Sequence, residues 1–111
     1  MSWDSSYIQG KLRETIYSLA VGPEDIRKRL VQVYGGFFHL TKGQFPSEVQ
    51  SDWEWILKEL KRYGPLIRED GSIFKSSVEH TCMRIKKKTG VKIANRILAV
   101  YIYLVNHDKL R

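Results

Sequence analysis

A chain of 111 residues and 13.0 kDa, 42% hydrophobic and 28% charged, has the size and composition of one globular domain, not of a disordered or membrane chain. Its single cysteine, Cys82, excludes an intramolecular disulfide and fits a reducing, cytoplasmic setting. The net charge of +7 is lopsided: residues 1–55 hold 6 Lys/Arg against 7 Asp/Glu, residues 56–111 hold 13 against 5, and no acid falls between Glu79 and Asp108.

Such asymmetry predicts an anionic partner: a nucleic acid, an acidic protein surface or a lipid surface. The start MSWDSSYIQGKL lacks the basic and apolar blocks of a leader. The longest apolar run, Ile97 to Val105, is about half the ~18 residues that a membrane span needs.

Helical spacing recurs along the whole chain. Ile8, Leu12, Ile16 and Leu19 share one face of a first helix over about Ser5 to Ala20. VGPED then stops and restarts the chain, with Glu24 and Asp25 at the positive end of the next helix dipole. Ile26, Leu30, Val33, Phe37 and Leu40 form the second stripe. Gly35-Gly36 inside it predicts close packing by another backbone in preference to a break.

FPSEVQ supplies Ser47 as N-cap and Gln50 three residues on, a capping-box pattern. Val49, Trp53, Ile56, Leu57 and Leu60 follow as the third stripe, ended by Gly64-Pro65. LIREDGSI reads as a connecting loop, with Asp70 or Ser72 capping a fourth helix whose stripe is Phe74, Val78, Cys82 and Ile85. A fifth helix carries Ile93, Ile97, Val100, Tyr101 and Leu104, and is apolar all round near its end. The fold class expected is all-α: residues 1–111 as one compact bundle of four to five helices.

In that order, IRKRLVQVY, QFPSEVQSDWEWILKEL, EDGSI and KIANRILAVYIYL resemble a pattern of short bacterial proteins of unknown function. The resemblance covers roughly Ile26 to Leu104 and rests on cap and core residues. It implies a helical architecture and a bacterial or phage-related origin, and no chemistry. This chain departs from the pattern at KKKTGVK, where the pattern is acidic.

Lys86, Lys87 and Lys88 are expected to close the fourth helix, where cations complement its carbonyl end, with Gly90 as a left-handed cap. A helix-turn-helix with Gly90 as the turn glycine fails on register, because Lys86 and Arg96 would occupy packing positions. The alternative is a phosphate-gripping patch of Arg84, Lys86, Lys87, Lys88, Lys92 and Arg96 that binds nucleic acid without reading bases.

No catalytic constellation, metal set or cofactor motif is legible. His39, His80 and His107 are scattered, His80 and Cys82 point apart on a helix, and YGGFF lacks the lysine of a phosphate loop. Cys82 lies on an apolar stripe as a core thiol.

The expected function is therefore a small non-enzymatic interaction module: an accessory or adaptor subunit of a bacterial or phage system for defence, counter-defence or regulation. It would take a protein partner with an acidic surface, and neither a membrane nor a small-molecule substrate. Trp55, Lys58 and Arg62 are candidate anchors. Ile102 and Tyr103, off the fifth stripe, are candidates for a homodimer through the last helix.

Overall fold

The computed structural model describes residues 5–108 and is all-α apart from one hairpin. In chain order the elements are α1 (Ser5–Val21), α2 (Ile26–Tyr34), a 3-10 turn (Lys42–Gln44) and α3 (Ser47–Leu60). Then come β1 (Leu66–Ile67), β2 (Ile73–Lys75), α4 (Ser77–Arg84) and α5 (Lys87–Asp108).

The expected stripes supply the core. Ile8, Leu12 and Leu19 of α1 are buried, as are Leu30 and Val33 of α2, Trp53, Ile56 and Leu60 of α3, and Ile93, Ile97, Val100 and Leu104 of α5. Thr15, a hydroxyl inside the α1 face, is satisfied by donating to the Lys11 carbonyl at 3.0 Å. At the centre, the Trp53 indole N–H donates to the Leu40 carbonyl at 2.7 Å. Its ring stacks on Phe45 with centroids 4.6 Å apart and meets Phe37 edge-on at 5.4 Å.

Three local expectations are corrected. α2 stops at Tyr34, and Gly35 has open space where a side chain would stand, so the glycines break the helix instead of receiving a packed backbone. The chain turns through Phe37 N–H to Tyr34 O and Leu40 N–H to Phe37 O, which still delivers Phe37 and Leu40 to the core. Ser47 is the first residue of α3 and makes no capping bond; Pro46 precedes it, and the Gln50 amide donates to the Phe45 carbonyl at 2.9 Å.

LIREDGSI is a β-hairpin, not a loop ending in a cap. β1 and β2 pair antiparallel with Leu66 opposite Lys75 and Ile67 opposite Ile73. Asp70 Oδ1 accepts from the Ser72 N–H and hydroxyl, and Gly71 turns at φ +88°. Phe74 consequently lies in β2, exposed, and the cap of α4 is Ser76 with Glu79 in a complete capping box.

α5 packs along α1 and α3 and crosses α2 near its own start. The crossing is at Gly90, where a Cβ would stand 3.1 Å from Ile26 Cγ2 and 3.3 Å from Arg27 Cγ. A glycine within a helix costs about 1 kcal/mol relative to alanine, and here close approach of two helices accounts for it.

Candidate functional site

The corner between α4 and α5 is where structure and sequence reading part most sharply. α4 ends at Arg84, and Ile85, extended and buried, caps it by donating its N–H to the Thr81 carbonyl. Arg27 reaches across from α2 and donates to the Ile85 carbonyl at 3.2 Å, fixing the corner. The Lys86 carbonyl then accepts from Thr89 and Gly90.

The lysines therefore open α5 instead of closing α4, and Gly90 is helical, not a left-handed cap. The expectation that they complement a carbonyl end is overturned. They stand at the positive end of the longest helix among the described residues, where cations oppose the dipole.

The starts of α2 and α4 carry side-chain caps that this one lacks. In α2, Asp25 accepts from the Arg27 N–H at 2.9 Å, and the Arg27 guanidinium holds its other oxygen at 2.9 Å; that side-chain bond pulls the carboxyl well below its ordinary value. In α4, the Ser76 hydroxyl accepts from Glu79 N–H, and the Glu79 carboxylate accepts in return from Ser76 N–H. At α5 the preceding residue is Lys86, whose ammonium can only donate. No side chain among the described residues accepts from the N–H of Lys87 or Lys88.

The six cations of the expected basic patch divide by partner. Arg96 donates to Asp52 Oδ1 at 3.0 Å, and its guanidinium lies 4.4 Å from the Trp55 ring centroid. Lys92 approaches the same ring at 5.9 Å. Arg84 lies 4.6 Å from the Tyr63 centroid. Lys86, Lys87 and Lys88 are exposed and have no ion pair among the described residues.

Trp55 is half-buried beneath Arg96, so the charges that cover it come from α5 and not from its own helix. Lys58 and Arg62 share an open hollow with Leu57 and Glu59, and Arg62 sits 3.8 Å from Glu59. Trp55 is not among the residues of that hollow.

Ile102 is exposed, whereas Tyr103 is half-buried and stacked on His107 at 3.7 Å. Burial, with the neighbouring Glu48 carboxylate, raises the Tyr103 hydroxyl above its ordinary value. The large exposed apolar residues of α5 among the described residues are Val91 (47% exposed), Leu98 (38%) and Ile102 (48%). Spacings of seven and four residues put them on one face.

A groove of about 500 Å³ between α2 and α4 is floored by Val31, Cys82 and Met83. Burial pushes the Cys82 thiol up to about 11, which keeps it neutral. The acids at the groove's rim, Asp25 and Glu79, are both committed to helix caps. Among the described residues no group of three or more His, Cys, Asp or Glu could hold a metal ion, and no helix is long and apolar enough to cross a membrane. Comparison with models of known protein families, with curated proteins and with solved structures found no match in any of the three.

Among the exposed aromatics, Tyr63 went unremarked in the sequence and Phe74 was expected on the core stripe of a helix. Tyr63 donates its N–H to Thr81 Oγ1 at 3.0 Å, which sets its ring against α4 beside Arg84. Phe74 stands on β2 between Arg68 and Lys75. The signal that would have placed Phe74 was Asp70-Gly71 between two apolar runs, a hairpin turn dipeptide.

Proposed function

We propose that this protein binds nucleic acid through its phosphates, using the start of α5, without reading base sequence. The reading is supported above all by one observation: α5 starts at Lys87, directly after Lys86, and Lys86, Lys87 and Lys88 have no acidic partner among the described residues. The N–H groups of Lys87 and Lys88, the dipole's positive end and three ammonium groups all favour an anion in one place. A phosphate there accepts from backbone and side chains together and supplies the negative charge that α2 receives from Asp25 and α4 from Glu79.

Arg84 and Lys92 extend the surface on either side, and Arg96, engaged by Asp52, stays outside it. Lysine is a compact point charge on a flexible stem, suited to holding a phosphate and poorly suited to bidentate base readout. A cytoplasmic location goes with this reading.

Fluorescence anisotropy with labelled mixed-sequence DNA and RNA tests it. Wild type should bind with micromolar or tighter affinity at ~50 mM salt, weakening steeply by ~200 mM. Lys86→Glu with Lys88→Glu should abolish binding. Flat wild-type curves at low salt, or a double variant that binds like wild type, would refute the proposal.

A second reading has its own observation. The exposed stripe of Val91, Leu98 and Ile102 fits a protein partner, a second copy of this chain included. The expected adaptor role would run through this stripe and not through Trp55, Lys58 and Arg62, since Trp55 is partly buried and packed against the core. Light scattering checks the self-association form: a dimer that Leu98→Arg dissolves supports it, and a monomer at high concentration removes it.

A further inference from the structure

We infer that the surface around α4 takes single-stranded nucleic acid in preference to duplex, with bases stacking on Tyr63 and Phe74. The inference rests on the phosphate-binding reading of α5 and adds a substrate class to it. Both rings are exposed, Tyr63 by 39% and Phe74 by 53%, and neither belongs to the core or to the residues packed against it. The Tyr63 hydroxyl makes no hydrogen bond among the described residues.

Each ring is flanked by two cations. Arg84 lies 4.6 Å and Arg62 5.6 Å from the Tyr63 centroid; Arg68 lies 5.1 Å and Lys75 5.5 Å from that of Phe74. Of these four, only Arg62 has a carboxylate within 4.0 Å among the described residues, the Glu59 contact at 3.8 Å. An exposed aromatic ring with cations close to it, most of them without a carboxylate partner among the described residues, matches one unit of an unpaired strand, a base with its adjoining phosphates.

The backbone holds both rings in place. Tyr63 is pinned by its N–H bond to Thr81, and the next residue, Gly64, by its carbonyl's contact with His80 Nδ1 at 3.0 Å. Phe74 is carried by the antiparallel pairing of Lys75 with Leu66. Phe74 precedes the start of α4, and Tyr63 lies against the Thr81–Arg84 end. α4 separates them by ~12 Å, and the α5 lysines begin two residues beyond Arg84. A short single strand can follow that course from ring to ring to lysines. In a duplex the base faces are already stacked on one another, so only the lysines would be used.

The test compares a labelled oligodeoxythymidylate, an oligouridylate of equal length and a mixed-sequence duplex at one salt concentration. Wild type should prefer the single strands by about tenfold or more. Tyr63→Ala and Phe74→Ala should each weaken single-strand binding about tenfold and leave duplex binding unchanged. Tyr63→Trp and Phe74→Trp should restore it, with quenching of the new indole on binding, which separates stacking from any loss of fold. DNA and RNA strands bound equally, or one preferred, both agree with the inference.

Equal affinity for strand and duplex, or alanine variants that bind like wild type while Lys86→Glu with Lys88→Glu fails to bind, would overturn the stacking surface and leave the phosphate reading standing. No wild-type binding to any probe would overturn both. Strand binding lost in the alanine variants and unrestored by tryptophan would also overturn it, and would mark the two rings as structural.

Discussion

Lys88 and Arg96 sit eight residues apart on the same helix, ~12 Å along its axis, and the fold treats them in opposite ways. Arg96 is engaged twice, by the Asp52 carboxylate and by the Trp55 ring. Lys88, with Lys86 and Lys87, has no acid and no aromatic face beside it among the described residues, at the helix end least suited to a cation. A cation inside a clasp joins α5 to α3, whereas Lys88 opposes the dipole with no ion pair among the described residues. The comparison divides a basic region that looks uniform in sequence into a cation held by the fold and three lysines without an ion pair among the described residues.

The largest effect expected from breaking the comparison lies on the lysine side. Lys86→Glu with Lys88→Glu should weaken nucleic-acid binding at least about hundredfold at low salt. The same change should raise Tm by about 3–6 °C, because carboxylates suit a helix start, so activity and stability move in opposite directions. Anisotropy and thermal melts on one sample check both signs.

Next comes the crossing that points the lysines outward. Gly90→Leu forces a side chain into space 3.1 Å from Ile26 and 3.3 Å from Arg27, and should cost about 2 kcal/mol in urea unfolding. On the structural side, Arg96→Ala should cost about 1 kcal/mol through the clasp and leave nucleic-acid affinity within about twofold of wild type. A large affinity loss with Arg96→Ala would return it to the functional patch and erase the distinction.

The smallest effect concerns the acid that caps α2. Asp25, held low chiefly by the Arg27 side chain, contributes stability that is fully present above its ordinary value of 3.8 and lost as pH falls through its lower folded value. Wild type should therefore exceed Asp25→Asn in stability by a constant margin above about pH 5, and the margin should shrink below pH 4. Urea melts at stepped pH measure it.

The core was legible because it rests on periodicity: the stripes of α1, α3 and α5 could be read before any coordinates, and Trp53 proved to be their centre. The corner between α4 and α5 was not, for a physical reason. Arg84-Ile85-Lys86 contains no proline, glycine or capping side chain, so local sequence marks no break there. The break is held by burial of Ile85 and by Arg27 from fifty-eight positions earlier. Gly90, the nearest conventional stop, is instead a crossing residue. The division among the cations was hidden likewise, since Asp52 and Trp55 meet Arg96 only after α3 and α5 pack. The hairpin, by contrast, carried a readable turn at Asp70-Gly71.

The most direct measurement is the salt dependence of binding, as log K against log salt concentration, for wild type and for Lys86→Gln with Lys88→Gln. If the start of α5 holds phosphates, the wild-type slope should be about −3, and losing two charges should reduce its magnitude by about 1.5. A slope near zero, or one that the double substitution leaves unchanged, would contradict the account.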